Sequence, residues 1–225
     1  MKKLYLVVAA ILMAFGSYSQ GVVSTNDPAA KKVLDAVSNK FKTFKGVTSS
    51  FTLQVQDAKG KVQGTKKGTV YMKGPKYRVK IDGSDAASGQ DIFFDGKNVW
   101  SYDKSSNEVT ITEPDESSGA ITPQKLFTNF YDKDFLYKLN GEKKEGTRVL
   151  QEIEMTPVDK TKAFHKVYVM VDKKTKTIYR TRVLDKNGNK YSYTVNSLSG
   201  TTPVSDGLFV FNKNNYPGVE EVDLR

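Results

Sequence analysis

The stretch FTLQVQ, residues 51–56, decides the fold class because apolar and polar side chains alternate at every position. In an extended chain Phe51, Leu53 and Val55 face one side, and the residues between them face the other. A period of two is typical of a β-strand with one buried and one solvated face. The stretch therefore predicts a sheet with one apolar face and one wet face.

The same alternation continues along most of the chain. A turn rich in Gly and Lys at 57–61 leads to an apolar segment at 68–72, and Tyr77, Val79 and Ile81 then alternate with basic residues. Further strands are predicted at 90–95, 98–103, 107–113, 147–156, 165–172, 177–185 and 190–198. Short turns between them predict an antiparallel meander of about ten strands, which must curve strongly because a flat sheet of that width is disfavoured.

Two amphipathic helices are predicted beside the strands, so the fold class is mainly β with few helices, α+β. The first helix has Asp27 as its N-cap, Pro28 at its first position and Gly46 at its exit. Its apolar stripe contains Ala30, Val33, Leu34, Val37, Phe41 and Phe44. The second helix covers 121–130, and its apolar side is made of Leu126, Phe127 and Phe130. Because neither stripe can be left in water, both helices are expected on the apolar face of the sheet.

Residues 1–19 have the features of a secretory signal peptide, with two lysines, an apolar run from Leu4 to Phe15 and small residues before the cleavage position. The run is too short to span a bilayer. We therefore expect a protein that is exported to the periplasm in soluble form, with one domain over residues 20–225. The chain contains no cysteine, so it has no thiol for a lipid and no disulfide, and its stability must come from a core.

The formal net charge is +10, and most of the basic residues are lysines scattered through strands and turns. Nucleic-acid-binding proteins concentrate such charge on one surface and interleave it with aromatic residues, so no nucleic-acid partner is predicted. A solvated basic surface that also favours anionic membranes or partners fits the pattern better.

Motifs for catalysis are missing from the sequence. Its single histidine, His165, lies in an alternating strand segment, and no nucleophile elbow, zinc motif or phosphate-binding glycine loop occurs. Two clusters of acidic residues, at 113–116 and 220–223, lie in predicted loops or the tail, where solvated charge is the ordinary interpretation. A glycosidase-like pair and a calcium site are the alternatives. No enzyme, no metal site and no cofactor are predicted.

Aromatic residues are abundant, with twelve Phe and twelve Tyr. The stretch FFDGKNVWSYD, residues 93–103, holds the only tryptophan, Trp100, just after a turn at Asp95-Gly96. Two interpretations fit this inventory. The apolar face of the sheet is either filled as a closed core, or it is wider than two helices can cover and leaves a dry space that accepts an apolar ligand.

Four segments, in this order, resemble the LolA family of periplasmic lipoprotein carriers: VTSSFTL at 47–53, GTVYMKGP at 68–75, FDGKNVWSY at 94–102 and ITPQKLF at 121–127. The resemblance implies a strongly curved antiparallel sheet that forms an open, unclosed β-barrel, with helices as a lid over a hydrophobic cavity for acyl chains. It also implies lipoproteins as cargo, an inner-membrane lipoprotein-releasing ABC transporter as donor and an outer-membrane acceptor. A monomer is expected. The alternatives are a periplasmic lipid or lipoprotein sensor, and a lipid or glycolipid carrier, of the same fold.

The candidate site residues follow from the alternation and the resemblance together. The predicted cavity-lining residues are Phe51, Leu53, Val55, Met72, Val79, Ile81, Phe93 and Trp100. The predicted contacts from the lid helices are Val33, Leu34, Val37, Phe41, Leu126, Phe127 and Phe130. One position departs from the family. Many members have an arginine, able to bond the lid helices, just before the proline that ends the equivalent strand, whereas this chain has Gly74 before Pro75.

Overall fold

The computed structural model describes residues 26–85, 87–114 and 131–225, and most of them belong to one twelve-stranded sheet. The strands are β1 Val47–Gln56, β2 Val62–Lys73, β3 Lys76–Asp82, β4 Gly89–Phe94, β5 Val99–Asp103, β6 Glu108–Thr112, β7 Phe135–Glu145, β8 Arg148–Pro157, β9 Phe164–Asp172, β10 Thr177–Asp185, β11 Lys190–Ser199 and β12 Glu220–Asp223. Their order across the sheet is β12-β6-β5-β4-β3-β2-β1-β11-β10-β9-β8-β7. The order begins at β12 and ends at β7, so the curved sheet is not closed, and the predicted mainly β fold with an open barrel is confirmed.

The sheet consists of two antiparallel meanders joined at its centre. β1 to β6 pair in sequence order on one side, β7 to β11 do so on the other, and β1 pairs with β11 in the middle. In that central pair Leu53 lies opposite Tyr193 and Val55 opposite Tyr191. The predicted pairing of sequence neighbours therefore holds within each half, whereas the junction joins segments far apart in the chain.

Two strands were not predicted, and one of them corrects the prediction of a purely antiparallel sheet. In β7, apolar and polar residues alternate only as far as Leu139. A bulge at Leu139/Gly141 and the polar sequence NGEKKE then interrupt the two-residue period. β12 is four residues long and mostly charged, and it pairs in parallel with β6, Glu220 opposite Glu108. It can do so because the chain after β11 crosses back over the sheet before it reaches β6.

Asp27 caps the helix α1 (Pro28–Lys42), as predicted: its Oδ1 accepts a hydrogen bond of 2.8 Å from the backbone N–H of Ala29. The helix ends at Lys42 with Thr43 as its C-cap, so the predicted exit at Gly46 was wrong. Its buried side is formed by Ala30, Val33, Leu34, Val37, Ser38 and Phe41. The only other α-helix among the described residues is the short α2, Tyr131–Asp134. The predicted signal peptide and the predicted helix at 121–130 lie outside the described residues.

The strand registers define the inner face, on which α1 packs. Val47 lies opposite Met72, Met72 opposite Tyr77, and Tyr77 opposite Phe94. All four belong to the same core cluster as the α1 stripe. The cluster continues on the other half of the sheet through Tyr137, Ile153, Met155, Val167, Val169 and Val171. Because burial of each large apolar side chain contributes about 1.5–3 kcal/mol, α1 is a fixed part of the core that ties the two halves together.

A second aromatic cluster lies on the outer face of β4 to β6. Its buried members are Phe93, Tyr102, Val109 and Val219, and Trp100, Phe211 and Tyr216 pack against them. The chain after β11 therefore covers the outer face. It is anchored where Asp206 accepts hydrogen bonds from Lys73 at 2.7 Å and Lys76 at 3.0 Å, on either side of the β2–β3 turn.

Candidate functional site

The candidate site is the part of the inner face that lies outside the core cluster, towards the strand ends at Gln56 and Lys190; we call it the inner strip. Its apolar and aromatic residues are Phe51, Leu53, Val55, Ile81, Tyr191, Tyr193 and Val195. They share one face because β1 has an unbroken register with β2 from Val47 to Val55, and β11 and β3 continue the same rows.

The floor of the inner strip is unusually low along β2. The three inner positions of β2 there are Gly64, Lys66 and Gly68, so two of them have no side chain. The ring of Phe51 lies over Gly68, where an added Cβ would collide with that ring and with the backbone oxygen of Lys80. The space over Gly68 is therefore filled by Phe51, whereas a Cβ added at Gly64 would meet nothing within 4 Å, so the open space over β2 lies at Gly64, opposite Val55.

The described residues cover the inner strip only in part. Leu53, Val55 and Ile81 are half-buried, and Tyr193 is 41% exposed, 6.5 Å from Phe51 between ring centroids. Its polar groups are few: the ammonium of Lys66 and the tyrosine hydroxyls, of which that of Tyr191 donates to Asp185 at 3.4 Å. Such a surface can accept hydrocarbon, because both apolar surfaces are then removed from water.

Five of the predicted cavity residues are brought together by the structure. Phe51, Leu53, Val55 and Ile81 lie in the inner strip, and Val79 lies at its border, half-buried against the core cluster. Met72, also predicted for the cavity, is instead buried in the core cluster with α1.

Phe93 and Trp100 are not brought together with the others, because they face the outer side. Phe94 is part of the inner core, so its neighbour Phe93 points the opposite way, and Trp100 lies opposite Phe93 across β4 and β5. Both belong to the outer aromatic cluster that the C-terminal part of the chain covers. Of the apolar side chains in the hairpin at 93–103, only Phe94 and Val99 therefore face the inner side.

The predicted helix contacts divide into two sets. Val33, Leu34, Val37 and Phe41 are buried in the core cluster, where α1 meets the inner face. The other three, Leu126, Phe127 and Phe130, lie outside the described residues. The structure therefore places the first set as core residues.

Sequence reasoning missed three of the seven residues of the inner strip. Tyr191, Tyr193 and Val195 alternate visibly within the predicted strand 190–198, but nothing local shows that this strand lies beside β1. The low floor at Gly64 and Gly68 was missed as well. The signal for it was present, since both glycines fall on inner positions once β1 and β2 are paired through the turn at 57–61.

Gly74 lies in the tight turn between β2 and β3 with a φ of +56°, a conformation that favours glycine. No arginine is available at this turn.

The polar contact that holds the first half of α1 lies elsewhere. Asp35 of α1 accepts a hydrogen bond of 2.7 Å from Tyr131 Oη and one of 3.0 Å from Lys31 Nζ.

This network affects the titration of Asp35. The hydrogen bond from Tyr131 is the main cause that lowers the pKa of Asp35, and Lys31 adds to it, while partial burial opposes both. Lys31 also donates to Asp132 at 3.4 Å, and Asp132 accepts from Tyr137 Oη at 3.0 Å. The network joins α1, α2 and β7 with alternating charges.

The part of the chain that the structure describes was compared with the predictions for His165, metal ligands and membrane spans. No cluster of three or more His, Asp or Glu side chains there could hold a metal ion. His165 is exposed, and its Nδ1 lies 3.2 Å from the backbone oxygen of Asp185. None of the described helices is both long and apolar enough to cross a membrane.

Comparison with known proteins agrees with this architecture. The family model described as "Outer membrane lipoprotein carrier protein LolA" matches residues 42–212, more than half of the chain. An outer-membrane lipoprotein carrier protein from Cupriavidus necator is 27% identical over 189 residues, which cover 81% of this chain and 83% of that protein.

Two solved structures share the fold at low sequence identity. A conserved protein from Thermus thermophilus superposes with a TM-score of 0.60 at 15% identity, covering 87% of this chain and 99% of the other. The lipoprotein LppX from Mycobacterium tuberculosis superposes with a TM-score of 0.51 at 12% identity, covering 80% and 100%.

Proposed function

Because the chain belongs to the LolA family of outer membrane lipoprotein carrier proteins, we propose that it binds the acyl chains of lipoproteins on the inner strip and carries them from the inner to the outer membrane. The observation that carries this proposal is an apolar surface on the inner face of an open barrel, which the described residues leave incompletely covered. The relative from Cupriavidus necator, whose name is outer-membrane lipoprotein carrier protein, supports it.

Transport of a lipoprotein through water requires such a surface. Each methylene group left in water costs about 0.8 kcal/mol, so one long acyl chain costs on the order of 10 kcal/mol and several chains cost correspondingly more. An inner strip made of Leu, Val, Ile, Phe and Tyr removes this cost without specific polar bonds. A surface of this kind holds hydrocarbon but does not fix one orientation, which suits a carrier that must release its cargo.

The ligand position follows from the packing of α1. Its stripe is buried in the core cluster together with both halves of the sheet, so displacing the helix would expose many apolar side chains at once. Leu53, Val55 and Ile81 of the inner strip are already partly exposed and Tyr193 is exposed, so a ligand reaches them without such a displacement. The open space over Gly64, opposite Val55 of β1, provides depth for a chain.

The remaining parts of the proposal concern the route. We infer a signal peptide at residues 1–19 and a mature periplasmic domain over residues 20–225 that works as a monomer without catalysis. The donor is an inner-membrane lipoprotein-releasing ABC transporter and the recipient is an outer-membrane acceptor, as the family resemblance implies.

The experiment that tests the proposal is a two-step transfer assay with the purified mature protein and a triacylated lipoprotein. Gel filtration first measures whether a soluble complex forms, and incubation with outer-membrane vesicles then measures delivery. We expect a soluble one-to-one complex that gives up its cargo to the vesicles. A protein that leaves the lipoprotein aggregated would refute the function, and one that binds free lipids but no lipoprotein would support the lipid-carrier alternative instead.

A further inference from the structure

We propose that three adjoining turns at the open end of the inner strip form a docking surface for an anionic lipid bilayer. We call it the basic rim, and it consists of residues 57–61, 158–163 and 185–190. This inference rests on the proposed function, because it states how the inner strip meets the membrane with which cargo is exchanged. The turns follow directly from the strip, since β1 ends at Gln56 and β11 begins at Lys190.

The three turns touch one another and so present one surface. A Cβ placed on Gly188 would lie 2.7 Å from Ala58 Cβ, which shows how closely the first and third turns approach. The third turn is bonded to the second, because the backbone N–H of Lys186 donates to Ala163 O at 3.0 Å and Lys186 Nζ donates to Lys160 O at 2.6 Å.

The basic rim carries six lysines and three aspartates. Its aspartates stabilise the turns through hydrogen bonds from the backbone. Asp57 accepts hydrogen bonds from two backbone N–H groups of its own turn, and Asp159 and Asp185 each accept one. Among the ion pairs of the described residues, only that of Lys162 with Asp159 involves a lysine of this surface. The lysines at 59, 61, 160, 186 and 190 therefore leave an excess of positive charge at the strip's end.

The surroundings show where this surface stops. On the side of β3, Asp82 ends the strand and Asp85 lies in the turn that follows, so carboxylates adjoin the basic rim there. α2 adjoins the second turn through the backbone bond from Val158 to Asp134, and its Asp132 is already paired with Lys31.

Two exposed aliphatic residues favour a bilayer over an acidic protein. Val62, next to the first turn, is 47% exposed, and Val158, in the second turn, is 51% exposed. Lysines interspersed with exposed apolar side chains suit a membrane interface, where the ammonium groups meet lipid phosphates and the apolar groups enter the boundary of the acyl region. Docked in this way, the protein presents the end of the inner strip to the bilayer.

The first test is co-sedimentation with vesicles of phosphatidylcholine alone and of phosphatidylcholine mixed with phosphatidylglycerol. We expect binding only to the anionic vesicles, decreasing as salt is raised. Neutralising Lys59, Lys61 and Lys190 together, each to Gln, should weaken this binding about a hundredfold, since each lysine near an anionic surface contributes roughly a fivefold factor. The matched control changes Lys97, Lys144 and Lys174 to Gln; these lie outside the basic rim and should have little effect.

A second test measures which side of the protein faces the bilayer. Val158→Trp should show a blue-shifted emission when anionic vesicles are added, whereas Val210→Trp, 44% exposed in the wild type but distant in sequence from these turns, should not. No binding to anionic vesicles, or equal losses in the two triple variants, would overturn the proposal. Loss of cargo delivery in the first triple variant without vesicle binding by the wild type would also overturn it and indicate a protein partner. Lipopeptide binding is measured separately for every variant, so failure of the carrier function is recognised independently.

Discussion

Replacing Leu53 by glutamate is expected to abolish acyl-chain binding while the protein still folds. Leu53 is half-buried at the centre of the inner strip, opposite Lys66 on one side and Tyr193 on the other. A carboxylate there loses water when hydrocarbon covers it, which costs several kcal/mol, and roughly two neighbouring methylene groups lose an apolar contact at about 0.8 kcal/mol each. A total of about 4 kcal/mol corresponds to roughly a thousandfold loss of affinity.

The assay is titration with a fluorescent triacylated lipopeptide below its aggregation concentration, with thermal unfolding as the test of folding. The matched control is Gln54→Glu, which adds the same charge one residue further along β1 on the outer face. We expect the control to bind as the wild type does. Equal binding by Leu53→Glu and Gln54→Glu, with both folded, would show that the inner strip is not the acyl site.

Three further predictions concern stability and are measured by chemical or thermal unfolding. Gly68→Ala should destabilise the protein by about 1–3 kcal/mol, because the new methyl group meets a ring and a backbone oxygen; an unchanged midpoint would contradict the packing over β2. Asp91→Ala should cost about 3 kcal/mol, because it leaves the largely buried Arg78, now 2.6 Å from Asp91, without its partner; a loss below 1 kcal/mol would refute this. Tyr131→Phe should cost about 1 kcal/mol at pH 7, since the Tyr131 hydrogen bond lowers the pKa of Asp35 and Asp35 is partly exposed. Because a lowered pKa stabilises the fold above the unfolded value, the difference should disappear as pH falls below about 4, and a difference that grew in acid would contradict the assignment.

Local alternation was enough to predict most strands and the apolar face of the central ones. The rows at Phe51, Leu53 and Val55 and at Tyr77, Val79 and Ile81 face inward as their period of two requires. The helix start at Asp27 was also predictable, because a cap depends on a few consecutive residues. These features are local, so the sequence displays them directly.

The parts that could not be predicted depend on contacts between distant segments. The pairing of β1 with β11 brings Tyr193 beside Leu53, and no local pattern specifies that neighbour. The faces of Phe93 and Phe94 could not be assigned from their own hairpin, because both are large and aromatic and a shift of one residue exchanges them. The outward direction of Phe93 depends on the distant Phe211, which covers it with 5.7 Å between ring centroids.

The most direct measurement of the central claim is photo-cross-linking of cargo from two adjacent positions of β3. A photoreactive amino acid replaces either Ile81, on the inner strip, or Lys80, on the outer face, and the protein is loaded with a radiolabelled triacylated lipoprotein before illumination. The account predicts a strong cross-link to the acyl chains from position 81 and little or none from position 80. Cross-linking from position 80 alone, or equally from both positions in folded protein, would contradict it.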